Sequence, residues 1–244
     1  DIVLGAATQL DLAKTRLVET RILVRRADGW DGLPYVWNDE QTEAYLKRTG
    51  DVKRFTLVDG DDQKDFPYIV PNVNQCAGCH ATDSASRDLQ PIGPKARHLD
   101  RDYEYEDAVQ NQLDYWASAG LLEGRKAMSG AANVNWLDIN ETISNRARAY
   151  IDINCSHCHS ETGPADTSGL HLTPDTPVGP HLGLCKTPIA AGRGTGNRQY
   201  GIVPGNADRS IFAYRMASTD PAIMMPELGR ALVHEEGVAL IKAW

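Results

Sequence analysis

No stretch of these 244 residues approaches the roughly 18 consecutive apolar residues of a membrane-spanning helix, so no such span is expected. The opening Asp1-Ile2-Val3-Leu4 lacks both the basic start and the long apolar core of an export signal. An exported protein with this start would be a processed or trimmed chain. Positive charge is scarce as well: 25 Lys and Arg against 33 Asp and Glu leave a formal charge of −8. That deficit argues against nucleic acid and anionic membrane surfaces as partners and favours basic patches on other proteins. Cysteine is sparse and unevenly spread. Cys76/Cys79 and Cys155/Cys158 form close pairs and Cys185 stands alone, which is not the arrangement of a disulfide-stapled scaffold. What remains is a chain of ordinary apolar content, 41%, long enough for one large domain or two to three small ones.

The two pairs have a chemical explanation. Cys76-Ala77-Gly78-Cys79-His80 and Cys155-Ser156-His157-Cys158-His159 both read C-x-x-C-H, the signature of covalent haem attachment. Two thiols one helical turn apart can each add to one vinyl group of a haem. The next residue then sets its imidazole beneath the ring as proximal ligand. Chance from this composition yields one such motif in roughly three of a thousand chains, and two far less often. A zinc site using both pairs would have to bridge the 76 positions from Cys79 to Cys155. That is well beyond a zinc ribbon's interval, and both histidines stay unexplained. A redox dithiol needs no histidine. The sequence therefore predicts two covalently bound haem c groups, one on Cys76, Cys79 and His80, the other on Cys155, Cys158 and His159.

Residues 1–70 read as β-rich. Residues 15–26 mix β-branched and charged side chains ahead of an Asp28-Gly29 turn, and residues 34–37 and 54–58 read as further strands. Residues 39–47 between them read as a short helix. From Cys76 onward the pattern turns helical, with long loops. Val109, Leu113 and Trp116 fall at i, i+4, i+7 within a helix over 107–120 that Gly120 would end. Asn140 is expected to cap a second helix, with Ile143, Ala147, Tyr150 and Ile151 on one face, which runs almost directly into Cys155. A terminal helix is expected over 233–244, with Ile241 and Trp244 inward. Gly192-Arg193-Gly194-Thr195-Gly196 imitates a phosphate loop, but no strand precedes it and no helix clearly follows. It reads as a flexible loop, with Arg193 a candidate to touch a haem propionate.

The order of motif, loop, middle helix, distal-ligand loop and terminal helix resembles the class I cytochrome c fold, written twice. Ile92-Gly93-Pro94 follows His80 at a distance similar to the Gly-Pro of that family, whose proline carbonyl orients the proximal imidazole. The resemblance makes Pro94 the candidate for that role, which fixes the tautomer and tunes the iron. Met225-Pro226, followed by Glu-Leu-Gly, resembles the family's distal-methionine loop. Further phrases are Pro71-Asn72-Val73-Asn74-Gln75-Cys76, Pro91-Ile92-Gly93-Pro94-Lys95, Arg146-Ala147-Arg148-Ala149-Tyr150, Ile202-Val203-Pro204-Gly205 and Met225-Pro226-Glu227-Leu228-Gly229. Together they resemble a group of di-haem cytochromes known mainly from environmental bacteria, with a β-rich lead-in. The resemblance spreads over most of the chain. It implies a mainly α, cytochrome c-like protein of two tandem haem units behind a small β-rich N-terminal segment: residues 1–70, then 71–140 with haem 1, then 141–244 with haem 2.

Each iron has a sixth position to fill. For haem 2, Met225 lies 66 positions beyond His159, comparable to class I spacing, with Met224 adjacent and Met216 a weaker rival. For haem 1, Met128 lies 48 positions beyond His80, at the class I location. His98 is nearer but falls just after Gly93-Pro94, and an open or partner-supplied position is the third option. His157 sits inside its own attachment turn and is not expected to reach that same iron. His171, His181 and His234 read as surface histidines, and Cys185 as a buried thiol.

Two haems without a nicotinamide or flavin motif imply a carrier or relay of electrons rather than an enzyme. Methionine–histidine ligation saturates an iron and raises its potential, which suits transfer. Haem attachment on the exported side of a membrane implies a periplasmic or extracellular protein. Two rivals stay open: a di-haem peroxidase-like enzyme with one open iron, and a subunit of an extracellular haem array or filament. The expected partners are redox proteins and, in an array, copies of the same chain.

Overall fold

The computed structural model describes residue 13, residues 15–125 and residues 132–244. Strand β1 (Glu19–Arg26) pairs antiparallel with β2 (Gly29–Trp37), from Glu19 opposite Val36 to Arg26 opposite Gly29. The chain then reverses at Asn38, whose carboxamide oxygen accepts the N–H groups of Thr42 and Glu43. Gln41 takes a φ of +58°, and its side chain bonds the Leu17 backbone as both acceptor and donor. These side-chain bonds offer the backbone an alternative to a helix. The helix expected over 39–47 is therefore a turn followed by β3 (Ala44–Leu46), which completes a sheet of order β1-β2-β3.

Strands β4 (Asp51–Asp59) and β5 (Asp62–Val70) form a separate two-stranded ribbon. Its two-residue turn places Gly60 at φ +60°, a left-handed conformation that glycine adopts without steric cost. Phe66 and Val70 are buried, and Phe66 meets Phe55 across the ribbon at 5.9 Å between ring centres.

The remaining elements are α1 (Ala77–His80), α2 (Ala96–Leu99), β6 (Asp102–Glu104), β7 (Val109–Asn111), α3 (Gln112–Ser118), α4 (Ile143–Asn154), α5 (Ile211–Met216) and α6 (Glu235–Ala243). Among the described residues helix amounts to 26% and strand to 22%. The expectation of a mainly α, cytochrome c-like pair of tandem units is thus overturned. The physical reasons are local. Residues 102–111 close into a hairpin of β6 and β7, so α3 starts only at Asn111, whose side chain caps Leu113 and Asp114. Between α4 and α5 the chain makes single 3-10 turns, because Gly163, Gly169, Pro174, Pro177, Pro180 and Gly183 leave no room for a longer run. The long helix does form, but Thr142 rather than Asn140 caps it, accepting the Asn145 N–H at 3.1 Å.

The core lies where α4 and α6 meet. Ala147, Tyr150 and Ile151 from α4 pack with Val238, Leu240 and Ile241 from α6, joined by Met216 of α5 and the loop residues Leu172 and Leu182. Trp244 packs against the margin of this cluster. Gly237 makes the approach possible: a Cβ there would collide with the Tyr150 phenol. Among the described residues no helix is long and apolar enough to cross a membrane.

Among the described residues one charge lies in the interior. Asp152 of α4 is 1% exposed, and Arg97 donates to both its oxygens at 2.6 and 2.7 Å. His98 Nε2, Asn133 Nδ2 and Ser156 Oγ add bonds at 2.8, 2.8 and 2.7 Å. These donors hold the carboxyl well below the usual carboxylate range against the opposing effect of burial. The hub ties α2 to α4 and to the turn that follows α4.

Candidate functional site

The first C-x-x-C-H turn is built on a capped 3-10 turn. Asn72 and Gln75 cap one another reciprocally, and α1 follows, with the His80 N–H on the Cys76 carbonyl at 2.9 Å. Cys76 faces the hairpin of β1 and β2, where a Cβ on Gly32 would stand 2.7 Å from its sulfur. His80 Nδ1 donates to the Gln90 carbonyl at 3.0 Å, and the Gln90 N–H returns to the His80 carbonyl at 2.9 Å. With Nδ1 protonated, Nε2 carries the lone pair that an iron requires. The carbonyl in this role is Gln90's. Pro94, the candidate from the class I resemblance, does not hold it.

The second turn repeats the hydrogen bonds, although Cys155 has a φ of −128° where Cys76 has −56°. The His159 N–H bonds the Cys155 carbonyl at 2.9 Å, matching His80 on Cys76. His159 Nδ1 lies 3.1 Å from Ser168 Oγ. That hydroxyl gives its own proton to the Ala165 carbonyl at 2.6 Å, so it accepts from Nδ1 and again leaves Nε2 free. Burial pushes the imidazole down to about 4, so it is neutral at physiological pH. Burial likewise pushes the Cys155 thiol up to about 12.

The two turns meet. Cys158 Sγ donates to the Gly78 carbonyl at 3.4 Å, and the Ser84 N–H and hydroxyl bond Thr162 O and Asp166 at 3.0 and 2.7 Å. The sulfurs of Cys79 and Cys158 and a ring nitrogen of His157 come within 4.8 Å of one another. The contact among Cys79, Cys158 and His157 pushes the Cys79 thiol down and the Cys158 thiol up.

Beside them opens a cavity of about 730 Å³, within the range of cofactor pockets. Cys79, Cys155, Cys158 and His159 line it, opposite Met216, Met225 and Leu228. Arg230 also lines it; two of its nitrogens bond backbone carbonyls, while its buried Nε has no partner. An orphaned cationic N–H in an apolar wall fits an anionic group such as a haem propionate. The second site thus fits a haem: two thiols, a neutral imidazole with its lone pair free, a methionine on the wall and a spare cation.

The first site is less complete. Met128 lies outside the described residues. His98 gives its Nε2 proton to the ionised Asp152, so of its two ring nitrogens only Nδ1 keeps a lone pair for a metal. Met224 is buried at 6% exposure, and Met225 is the member of that pair on the cavity wall. Cys185, expected to be buried, is exposed. Arg193 pairs with Asp220 at 2.8 Å from a 3-10 turn rather than reaching into the cavity. His171 and His181 stack at 4.7 Å, whereas His234 lines the cavity and meets the Tyr150 hydroxyl at 2.9 Å. Sequence reasoning missed Gln90, which acts through its backbone, and the Asp152 hub and the Cys79–His157–Cys158 cluster, which exist only once distant segments meet. Comparisons with protein-family models, with curated proteins and with solved structures give no match for this chain.

Proposed function

We propose that the protein is a di-haem c-type electron carrier or relay working outside the cytoplasm, periplasmic or extracellular, with other redox proteins as its partners. The observation that carries the reading is the pairing of the two C-x-x-C-H turns, which share the same hydrogen bonds back to their first cysteine and bring Cys79 and Cys158 together. When bound, haem supplies one-electron chemistry at iron. The chain's own part is positional. His80 and His159 each present Nε2, fixed by a bond at the other nitrogen, and Met225 stands on the wall of the cavity that His159 lines. The adjacent sulfurs place the two attachment points side by side, which suits passage of an electron between centres. The test is denaturing electrophoresis with haem staining, together with intact mass, of protein matured by an exporting host. Two haems are expected, and one in a Cys155→Ser/Cys158→Ser variant. A mass equal to the bare chain with bound zinc overturns the reading.

The engagement of His98 with Asp152 favours a second reading, because it ties one ring nitrogen of a distal candidate for the first iron. An open first iron fed by the second would make a di-haem peroxidase-like enzyme. Sustained peroxide reduction well above that of free haem selects the enzyme; reversible one-electron cycling with negligible turnover selects the carrier.

A further inference from the structure

Cys79 and Cys158 belong to different attachment turns, 79 positions apart, and the fold itself joins them. The two Ser84 bonds, to Thr162 and Asp166, hold the turns together from outside the cluster. Beside the sulfurs stands His157, whose Nδ1 is buried and has no hydrogen-bond partner among the described residues. A nitrogen withdrawn from water in this way costs about 1–3 kcal/mol unless something binds the ring. All three residues line the cavity.

We propose that, in the chain without haem, Cys79, His157 and Cys158 bind one thiophilic divalent cation of the zinc class, with the fourth position open to the cavity. Two thiolates and an imidazole are the donor set that such ions prefer, and three protein ligands with a vacant fourth position is a recurrent zinc arrangement. Ligand atoms within 4.8 Å of one another need only a small closure to surround an ion at bond lengths of about 2.0–2.3 Å. Binding takes the thiol protons to solvent. The ion uses one sulfur from each attachment turn, so it excludes thioether formation at both turns at once. This site does not rest on the haem reading, which is scored separately by haem staining of the matured protein.

The probe is cobalt(II), added to the full-length reduced chain made without haem. One cobalt per chain is expected, with intense sulfur-to-cobalt absorption and the visible bands of a tetrahedral ion. Cys79→Ser, Cys158→Ser and His157→Ala should each weaken binding by at least about tenfold, whereas Cys76→Ser/Cys155→Ser should leave it intact. Two cobalt ions per chain, or loss in that double variant with retention in Cys79→Ser, would mean metal held within single C-x-x-C pairs and overturns the proposal. Absence of the cobalt spectrum overturns it as well.

Discussion

Three imidazoles in this chain are distinguished by what each gives its proton to. His80 spends Nδ1–H on the Gln90 carbonyl and His159 spends its own on Ser168, so both keep Nε2 for a metal. His98 spends Nε2–H on Asp152, the reverse assignment, which leaves its lone pair on Nδ1. On the opposite wall two thioethers compete, and they separate by mutation. Met225→Ala should abolish the sulfur–iron band at the red end of the oxidised spectrum and lower the potential of that centre. Met216, at 9% exposure in the core, should when changed to Ala keep the band and lose about 2–5 kcal/mol of stability. The converse pattern would make Met216 the ligand.

Among the elements, the contact of α4 with α6 depends on a missing side chain. Gly237→Ala gains helix propensity of about 1 kcal/mol but drives a methyl into the Tyr150 phenol, and overpacking costs about 1–3 kcal/mol. A net fall in the urea midpoint is expected. Adding Tyr150→Phe, which removes the colliding hydroxyl, should recover part of it; no recovery would mean that the strain lies elsewhere. The elements also show where sequence patterns speak and where they do not. β1, β2 and β4 were legible from β-branched runs and the Asp28-Gly29 turn, and α4 and α6 from apolar spacing. β5 was not, since Asp62, Lys64, Asp65 and Pro67 mask its alternation of inward Phe66 and outward charge. The turn at Asn38 is made by side chains folding back on their own backbone, which no apolar period records. Of the candidate site, the two attachment turns were legible as spacing. Gln90 was not, because a backbone carbonyl leaves no trace in residue identity. Neither was the cluster at Cys79, because its members come from two turns that only the tertiary fold brings together.

At the scale of the molecule, the Asp152 carboxylate joins segments that the sequence reads as separate units. Arg97 and Asp152 are 55 positions apart, and the pair is buried on the aspartate side. Asp152→Ala should cost about 3–5 kcal/mol, since it leaves Arg97 without its counter-charge. The pH dependence has a definite sign. The folded carboxyl sits below its unfolded value of about 3.9, so its contribution is complete above that value. It is lost as acid takes the pH down through the depressed folded value. Acid titration of unfolding should therefore fall below about pH 4 in the parent chain and fall less steeply in Asp152→Ala. Equal slopes would assign the acid limb to other carboxylates.

The same hub constrains how such a protein can diverge. A crossover between two related genes near position 140 would leave Arg97 from one parent and Asp152 from the other. The progeny inherit a buried charge with its counter-ion only if both parents keep the pair. Residues 71–140 and 141–244, which the motif repetition invites one to treat as interchangeable modules, are therefore inherited together. A hybrid that exchanges one half for a homologue lacking Arg97 should accumulate as insoluble chain, even with both haem-attachment motifs intact.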